Sequence, residues 1–401
     1  MASHVVVRAL PFATKFPKRH AKDILASDRA RAKKLLRGCQ PHGPAAFKQR
    51  TTLTGDRQVL AKASDTDDSV PVTDATVTYT LNVGVGSPAT EYTLLIDTGS
   101  SNTWLGADKE YTKTSTSKST GHSFNVSYGS GRVSGTEYTD QVTLGEDLVI
   151  KKQSIGVAST AQGFNDVDGI LGIGPVDLTQ GTVASTSSVP TVTDNLYEQG
   201  TIPTESIGIF YQPTTSSTSV ANGELTFGGT DDDRFTGQIV YSPITSTSPA
   251  SNYWGIDQTV TYGESTAIMN SLAGIVDTGT TLLLIATDAF QAYQKAAGAS
   301  LDDSTGLLTI TEAQYDSLKS LFFQIGDTTF EFTPNAQIWP RNLNSLLGGE
   351  EGKIYLITSD MGSKSGQGLD FIGKPQSHLP CRDAFNGTGR RFCLPATLLF
   401  W

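Results

Sequence analysis

Two segments of this 401-residue chain follow the same pattern. Leu94-Leu95-Ile96-Asp97-Thr98-Gly99-Ser100-Ser101 runs three apolar residues into a carboxylate and then a turn of small hydroxyl residues. Gly274-Ile275-Val276-Asp277-Thr278-Gly279-Thr280-Thr281 repeats the pattern 180 positions later. An apolar strand end excludes water, and glycine permits a turn that a side chain would block. The hydroxyls of Ser100 and Thr280 can bond the carboxylates and hold their rotamers. Two such loops facing each other across a two-fold axis would bring the carboxylates roughly 3 Å apart. At an effective dielectric near 20, two full charges there repel by about 5 kcal/mol, or about 4 pK units. One carboxyl then stays protonated while the other ionises, which places a general acid and a general base in one site.

Length, composition and charge narrow the frame. The chain is long enough for two lobes, each with its own core. Forty glycines and 17% charged residues fit a β-rich protein with many turns. No cysteine lies between Val70 and Gly373, so that region has no disulfide or thiolate metal site. The five histidines (His4, His20, His42, His122, His378) show no ligand spacing, so neither a metal nor a cofactor is expected. Residues 1–70 carry a charge balance of +8, and the remaining 331 carry −18. A basic arm can bind nucleic acid, but this one lacks interleaved aromatics and precedes a strongly acidic body. An intramolecular partner is the better reading, held by charge at neutral pH and loosened as carboxylates protonate.

Within the arm, Ile24, Leu25, Ala32, Leu35 and Leu36 predict a helix over 21–37, with Gly38 as its stop. Ser64 to Ser69 has loop composition. Val5-Val6-Val7 before Arg8 is too short for a secretory signal, and no stretch is apolar enough to span a membrane. A missing first exon is the expectation there.

Val77, Tyr79, Leu81, Val83 and Val85 alternate as a half-buried strand. Gly84-Val85-Gly86-Ser87-Pro88-Ala89 mimics a dinucleotide fingerprint, but Pro88 and the strand-like 92–96 follow where a helix should open, so a β-turn is predicted. Trp104 carries an indole N–H that needs a partner if buried, and Tyr128 is the candidate. Residues 124–135 read as a hairpin with a Gly-rich tip. Asn125-Val126-Ser127 is a glycosylation sequon. Short helices are predicted over 190–199, over 288–297 capped by Thr287 and stopped by Gly298, and from a Thr311/Gln314 capping box. Strands are predicted at 322–325 and 329–332.

The two Asp-Thr-Gly segments resemble those of the pepsin-like aspartic endopeptidases, whose paired carboxylates are the reference case for acid and base in one site. Val83 to Thr90, Asp168 to Leu178 and Ala336 to Asn344 resemble basidiomycete fungal members, and the likeness runs from about residue 71 to about 373. It implies an all-β, bilobal acid protease fold with a few short helices, preceded by a prosegment. The implied layout is a prosegment over 1–70, an N-terminal lobe over 71–235, a C-terminal lobe over 236–373 and an atypical tail over 374–401.

The resemblance further implies hydrolysis of peptide bonds at acid pH, with Asp97 and Asp277 catalytic. Thr98, Gly99, Ser100, Thr278, Gly279 and Thr280 would support the loops. Tyr128, Gly129, Ser130 and Trp104 would form a flap over the peptide. Ser130 is not an acid, so no preference for a basic residue just before the cut bond is expected. Gly169 to Gly172 and Leu369 to Gly373 would back the two loops. A prosegment lysine should reach the carboxylate pair, with Lys33, Lys34 and Lys48, beside Arg37, as basic candidates. The expected partners are protein or peptide substrates and the chain's own prosegment, with no nucleic acid or membrane, in a monomer that is secreted or, alternatively, vacuolar. Residues 374–401 lack the family's aromatic closing pattern, which suggests a frame-shifted or intron-derived tail. The alternative is a pepsin-fold protein made incompetent or unstable by an unpaired sheet edge. A non-catalytic pepsin-fold binding protein fits less well, because both motifs are whole.

Overall fold

The computed structural model describes residues 7–15, 20–37, 78–129, 131–211, 216, 220–231, 233, 239–373, 379–383 and 391–395. The alternating apolar residues of the first body strand do what their period dictates. Tyr79, Leu81, Val83 and Val85 are buried while Asn82 faces out, and the strand spans Thr78–Val85. A four-residue turn beginning at Gly86 (φ 90°) returns the chain into Thr90–Asp97, with Val85 opposite Thr90. The expected β-turn is therefore present where the glycines mimic a dinucleotide fingerprint.

The strand Thr90–Asp97 then enters a three-strand knot. Gly169–Gly172 runs parallel beside it, with Leu94 opposite Gly169 and Asp97 opposite Gly172, and Thr103–Leu105 pairs antiparallel on the far side. The glycines permit this approach: a Cβ on Gly169 would lie 2.0 Å from the Trp104 carbonyl oxygen. The second half of the chain builds the same knot. Thr266–Val276 runs parallel to Phe371–Gly373, which pairs antiparallel with Leu283–Ile285. Leu94, Ile96, Leu171, Ile275, Leu284 and Ile372 are completely buried there, each worth roughly 1.5–3 kcal/mol in apolar area removed from water.

These strands belong to a 13-stranded and a 7-stranded sheet, with a 3-stranded sheet beside them. The large sheet holds a strand that the periodicity does not reveal. Arg8–Lys15 lies between Val220–Phe227 and Thr78–Val85. Phe12 is buried edge-on to Tyr79 at 5.6 Å, and a Cβ on Gly223 would lie 1.9 Å from its ring. The N-terminal arm is thus woven into the body. Helix α1 (Ala21–Leu36) follows the predicted bounds within a residue; Gly38 and Lys48 lie outside the described residues.

The short helices form at Val192–Glu198, Thr287–Ala297 and Glu312–Tyr315. Thr311 and Gln314 make the expected capping box, and Gly298 ends its helix at φ 66°. Thr287 is not a cap, however. It is the first helical residue, and its hydroxyl donates to Asp360 at 2.6 Å. The predicted pair near 322–332 forms as Leu321–Ile325 and Thr328–Phe332.

The tail departs from expectation. Leu379–Asp383 pairs antiparallel with Glu205–Tyr211, and Arg391–Pro395 pairs with Ile239–Pro243, both extending the large sheet. Ladder bonds need only backbone N–H and C=O groups, which nearly every residue supplies. A segment without the anticipated side-chain pattern can therefore still close a sheet. The reading of an incompetent chain with an unpaired edge is not supported.

Candidate active site

Asp97 and Asp277 each leave a three-strand knot into a Thr-Gly turn, and the two turns meet. The Thr98 N–H donates to Thr278 Oγ1 at 3.0 Å, and the Thr278 N–H donates to Thr98 Oγ1 at 2.9 Å. Each hydroxyl in turn donates to a carbonyl of the opposite strand, Thr98 to Val276 at 3.1 Å and Thr278 to Ile96 at 3.0 Å. Four cross-linking bonds, all buried, lock the loops in two-fold relation.

The carboxylates are equally constrained. Both are fully buried. Gly99 N–H and the Ser100 hydroxyl donate to Asp97 at 3.0 and 2.5 Å; Gly279 N–H and the Thr280 hydroxyl donate to Asp277 at 3.1 and 2.5 Å. The glycines are required for a reason the sequence reading did not supply. Neither has left-handed backbone. A Cβ on Gly99 would lie 2.3 Å from Arg31 Nη2 and 2.6 Å from Asp277 Oδ1, and one on Gly279 would lie 2.5 Å from Arg31 Nη2 and 2.8 Å from Asp97 Oδ1. Each glycine leaves room for the opposite carboxylate.

A cation from the N-terminal arm bridges the pair, but it is not one of the expected residues. Arg31 Nη2 donates to Asp97 Oδ1 at 2.6 Å and to Asp277 Oδ1 at 2.7 Å, while its Nε donates to Asp277 Oδ2 at 2.5 Å. Burial pushes the Asp277 carboxyl up. The charge and hydrogen bonds of Arg31, with those of Thr280 and Gly279, outweigh burial and hold it below the ordinary value of 3.8. Lys34 lies nearby instead of on the carboxylates. Its ammonium has no hydrogen-bond partner, and burial, reinforced by Arg31 and Arg37, brings it down to about 7.

Asp28, also buried, accepts from the Thr281 and Leu282 N–H groups at 3.1 and 2.8 Å, clasping α1 to the second loop. Sequence reasoning missed Asp28 and Arg31. The signal was there: Ile24, Asp28, Arg31 and Leu35 occupy one helical row, so two charges interrupt the apolar stripe.

The hairpin lies over this helix. Ser127 pairs with Arg132, and the Tyr128 N–H donates to the Gly131 carbonyl at 2.6 Å. Trp104 Nε1–H donates to the Tyr128 hydroxyl at 2.8 Å, the partnership expected from sequence. Phe164, not anticipated, stacks edge-on to both rings at 4.8 and 5.2 Å. Burial, then the Asp97 charge, keeps the Tyr128 phenol neutral far above its usual range. A Cβ on Gly129 would lie 2.2 Å from Arg31 Cα, so the hairpin rests directly on the helix backbone. Ser130 lies outside the described residues. From behind, the Trp254 indole donates to the Ile173 carbonyl at 3.1 Å, and the Ile173 N–H donates to the Asp97 carbonyl at 2.9 Å. Asn125 sits on the strand Lys118–Ser127, half-buried.

Among the described residues, no group of three or more His, Cys, Asp and Glu is arranged to hold a metal, and no helix is long and apolar enough to cross a membrane. Comparison with known proteins agrees with the geometry. The family model described as eukaryotic aspartyl protease matches residues 78–345. Polyporopepsin of Irpex lacteus is 65% identical over 306 residues, covering 76% of this chain and 89% of that protein. Rhizopuspepsin-1 of Rhizopus niveus is 33% identical over 76% of this chain and 78% of its own length. The crystal structure of an aspartic proteinase from Irpex lacteus superposes with a TM-score of 0.75 at 61% identity, covering 79% of this chain and 94% of that one.

Proposed function

This chain belongs to the pepsin-like eukaryotic aspartyl protease family and is an aspartic endopeptidase, and from that premise we propose that Asp97 and Asp277 are its catalytic pair. The observation that carries this is the sharing of one nitrogen. Arg31 Nη2 reaches an inner oxygen of each carboxylate at 2.6 and 2.7 Å. A water in the place of that nitrogen would be within bonding reach of both.

One carboxylate takes a proton from this water as its oxygen attacks the peptide carbonyl carbon. The other, protonated, gives its proton to the carbonyl oxygen. Collapse of the resulting gem-diol breaks the C–N bond as a proton passes to the leaving amine. The acid and base roles belong to the pair, which titrates as a unit. Ser100 and Thr280 orient the carboxylates, with Gly99 and Gly279 giving their N–H groups. Thr98 and Thr278 brace the loops. Tyr128, held by Trp104, closes over the peptide with Gly129 and Ser130.

Residues 1–70 act as a prosegment that keeps the enzyme latent. The seating of Arg31 on the carboxylate pair supports this, as do the Asp28 clasp and the hairpin lying on α1. The body then divides into lobes over 71–235 and 236–373, followed by the tail at 374–401, in a secreted monomer.

The test is cleavage of a denatured protein at acid pH by the full chain, beside Asp97→Asn and Asp277→Asn. Each variant should lose activity by about 10²–10⁴-fold or more, and a general aspartic-protease inhibitor should abolish it. Activity retained by either variant would remove the pair from the mechanism.

A further inference from the structure

Arg29 leaves α1 two residues before Arg31 and takes a different seat. Its Nε donates to the Asp360 carbonyl oxygen at 2.7 Å, and its Nη2 donates to Asp360 Oδ2 at 3.1 Å. Asp360 is held so as to present these two acceptors together. Its Oδ1 is engaged by the Thr287 hydroxyl at 2.6 Å and the Gly362 N–H at 2.9 Å. Its backbone pairs with Ile285, on the strand that follows the Asp277 loop. The Met361 N–H donates to the Ile285 carbonyl at 2.9 Å, fixing the next residue as well. A carboxylate oxygen beside a carbonyl oxygen, both aimed outward, matches the planar fork of a guanidinium, whereas an ammonium presents no such fork.

The seat is also in the right place. Asp28 grips Thr281 and Leu282, and Arg31 grips the carboxylate pair, so the turn of α1 carrying Arg29 lies along the loop from Asp277 toward Asp360. Arg29 and Arg31 are separated by about 3 Å along the helix axis. The two side chains leave opposite sides of the helix, so with their reach and hydrogen bonds added Asp360 falls within about 20 Å of the carboxylate pair, a span of about six residues of extended peptide.

We propose that Asp360 is a specificity-determining residue of the peptide-binding cleft, its Oδ2 and carbonyl oxygen receiving an arginine side chain of the substrate within about six residues of the cut bond. Arg29 occupies this seat while α1 fills the cleft. A substrate arginine takes it once α1 has left. The inference rests on the catalytic reading above. It does not involve the hairpin that carries Tyr128.

The test uses the full chain, incubated at acid pH until it cleaves, and a peptide series in which a single arginine is moved along an otherwise neutral sequence. Each peptide is paired with its glutamine and lysine counterparts. One position should favour arginine over glutamine by tenfold or more in kcat/KM, mainly through KM, with lysine intermediate. Asp360→Asn keeps an acceptor for Thr287 and Gly362, and it should bring the arginine-to-glutamine ratio close to one. Wild-type enzyme that cuts the series without any arginine preference overturns this inference and leaves the catalytic reading standing. A preference that survives in Asp360→Asn overturns it equally. Failure of the wild type to cut any peptide or denatured protein would instead count against the catalytic reading.

Discussion

Arg31 and Asp277 meet edge to edge, Nε to Oδ2 at 2.5 Å and Nη2 to Oδ1 at 2.7 Å, in a bidentate pair whose second nitrogen also holds Asp97. The Asp277 side chain is wholly buried and that of Arg31 is only 13% exposed. Removing one partner of such a pair leaves an uncompensated buried charge and costs about 3–5 kcal/mol. Arg31→Ala should therefore loosen α1 and let the full chain begin cleaving at a higher pH than the wild type. Arg31→Lys keeps the charge but loses the fork, and should fall between them. Onset pH measured on a fluorogenic peptide checks this; equal onsets for all three chains would refute it.

The same pair sets the direction of pH dependence. The Asp277 carboxyl lies below its ordinary 3.8 when α1 is docked. A group depressed in this way contributes docking stability that is fully present above its free value and is lost as pH falls through its docked value. With α1 away the two carboxyls repel each other and one is held above the ordinary carboxylate range, so docking should begin to weaken as pH falls through that raised value and go on weakening down to the docked one. Hydrogen exchange across residues 21–36 from pH 7 to pH 2 reads this directly. Protection that stays unchanged down to pH 2 would assign the release to another group.

Lys34 works against docking. Its ammonium is buried without a hydrogen-bond partner and is lowered from 10.5 to about 7. For a cation depressed by docking, the penalty grows as pH falls from 10.5 toward 7 and is constant below that. Lys34→Met keeps the apolar stem, removes the charge, and should tighten α1 by about 1–3 kcal/mol, the scale of an unsatisfied buried polar group. At acid pH the half-time of activation should lengthen several-fold or more. A faster activation would mean that the ammonium stabilises the docked state.

The crossed threonines predict coupling between the halves. Thr98→Val and Thr278→Val each leave a buried N–H and a buried carbonyl unpaired, at a cost of about 2–4 kcal/mol. Each lost hydroxyl serves the other half's loop, so the double variant should lose less than the sum. A thermal-unfolding double-mutant cycle measures this. Strict additivity would show that the two loops are braced independently.

Much of the site could be read from residue order because its chemistry is local. Asp-Thr-Gly after an apolar run specifies a strand, a turn and a placed carboxylate within eight residues, and the repeat 180 positions later supplies its counterpart. The strand Thr78–Val85, the hairpin bearing Tyr128 and the Thr311/Gln314 cap likewise follow from short-range periodicity and turn chemistry. The tertiary structure decided which distant groups meet. Arg31, and not a lysine, reaches the aspartates because the helical row Ile24-Asp28-Arg31-Leu35 faces the cleft and Asp28 fixes its axial position on Thr281 and Leu282. Gly99 and Gly279 are glycine because the opposite carboxylate fills the space of a Cβ, a contact across 180 residues that no local conformation records. Thr287 serves Asp360 instead of its own helix for the same kind of reason. Residues 379–383 and 391–395 join the large sheet through backbone bonds, which carry no side-chain signature. Local pattern determines the pieces and the chemistry each can offer; long-range packing determines which charge ends up opposite which.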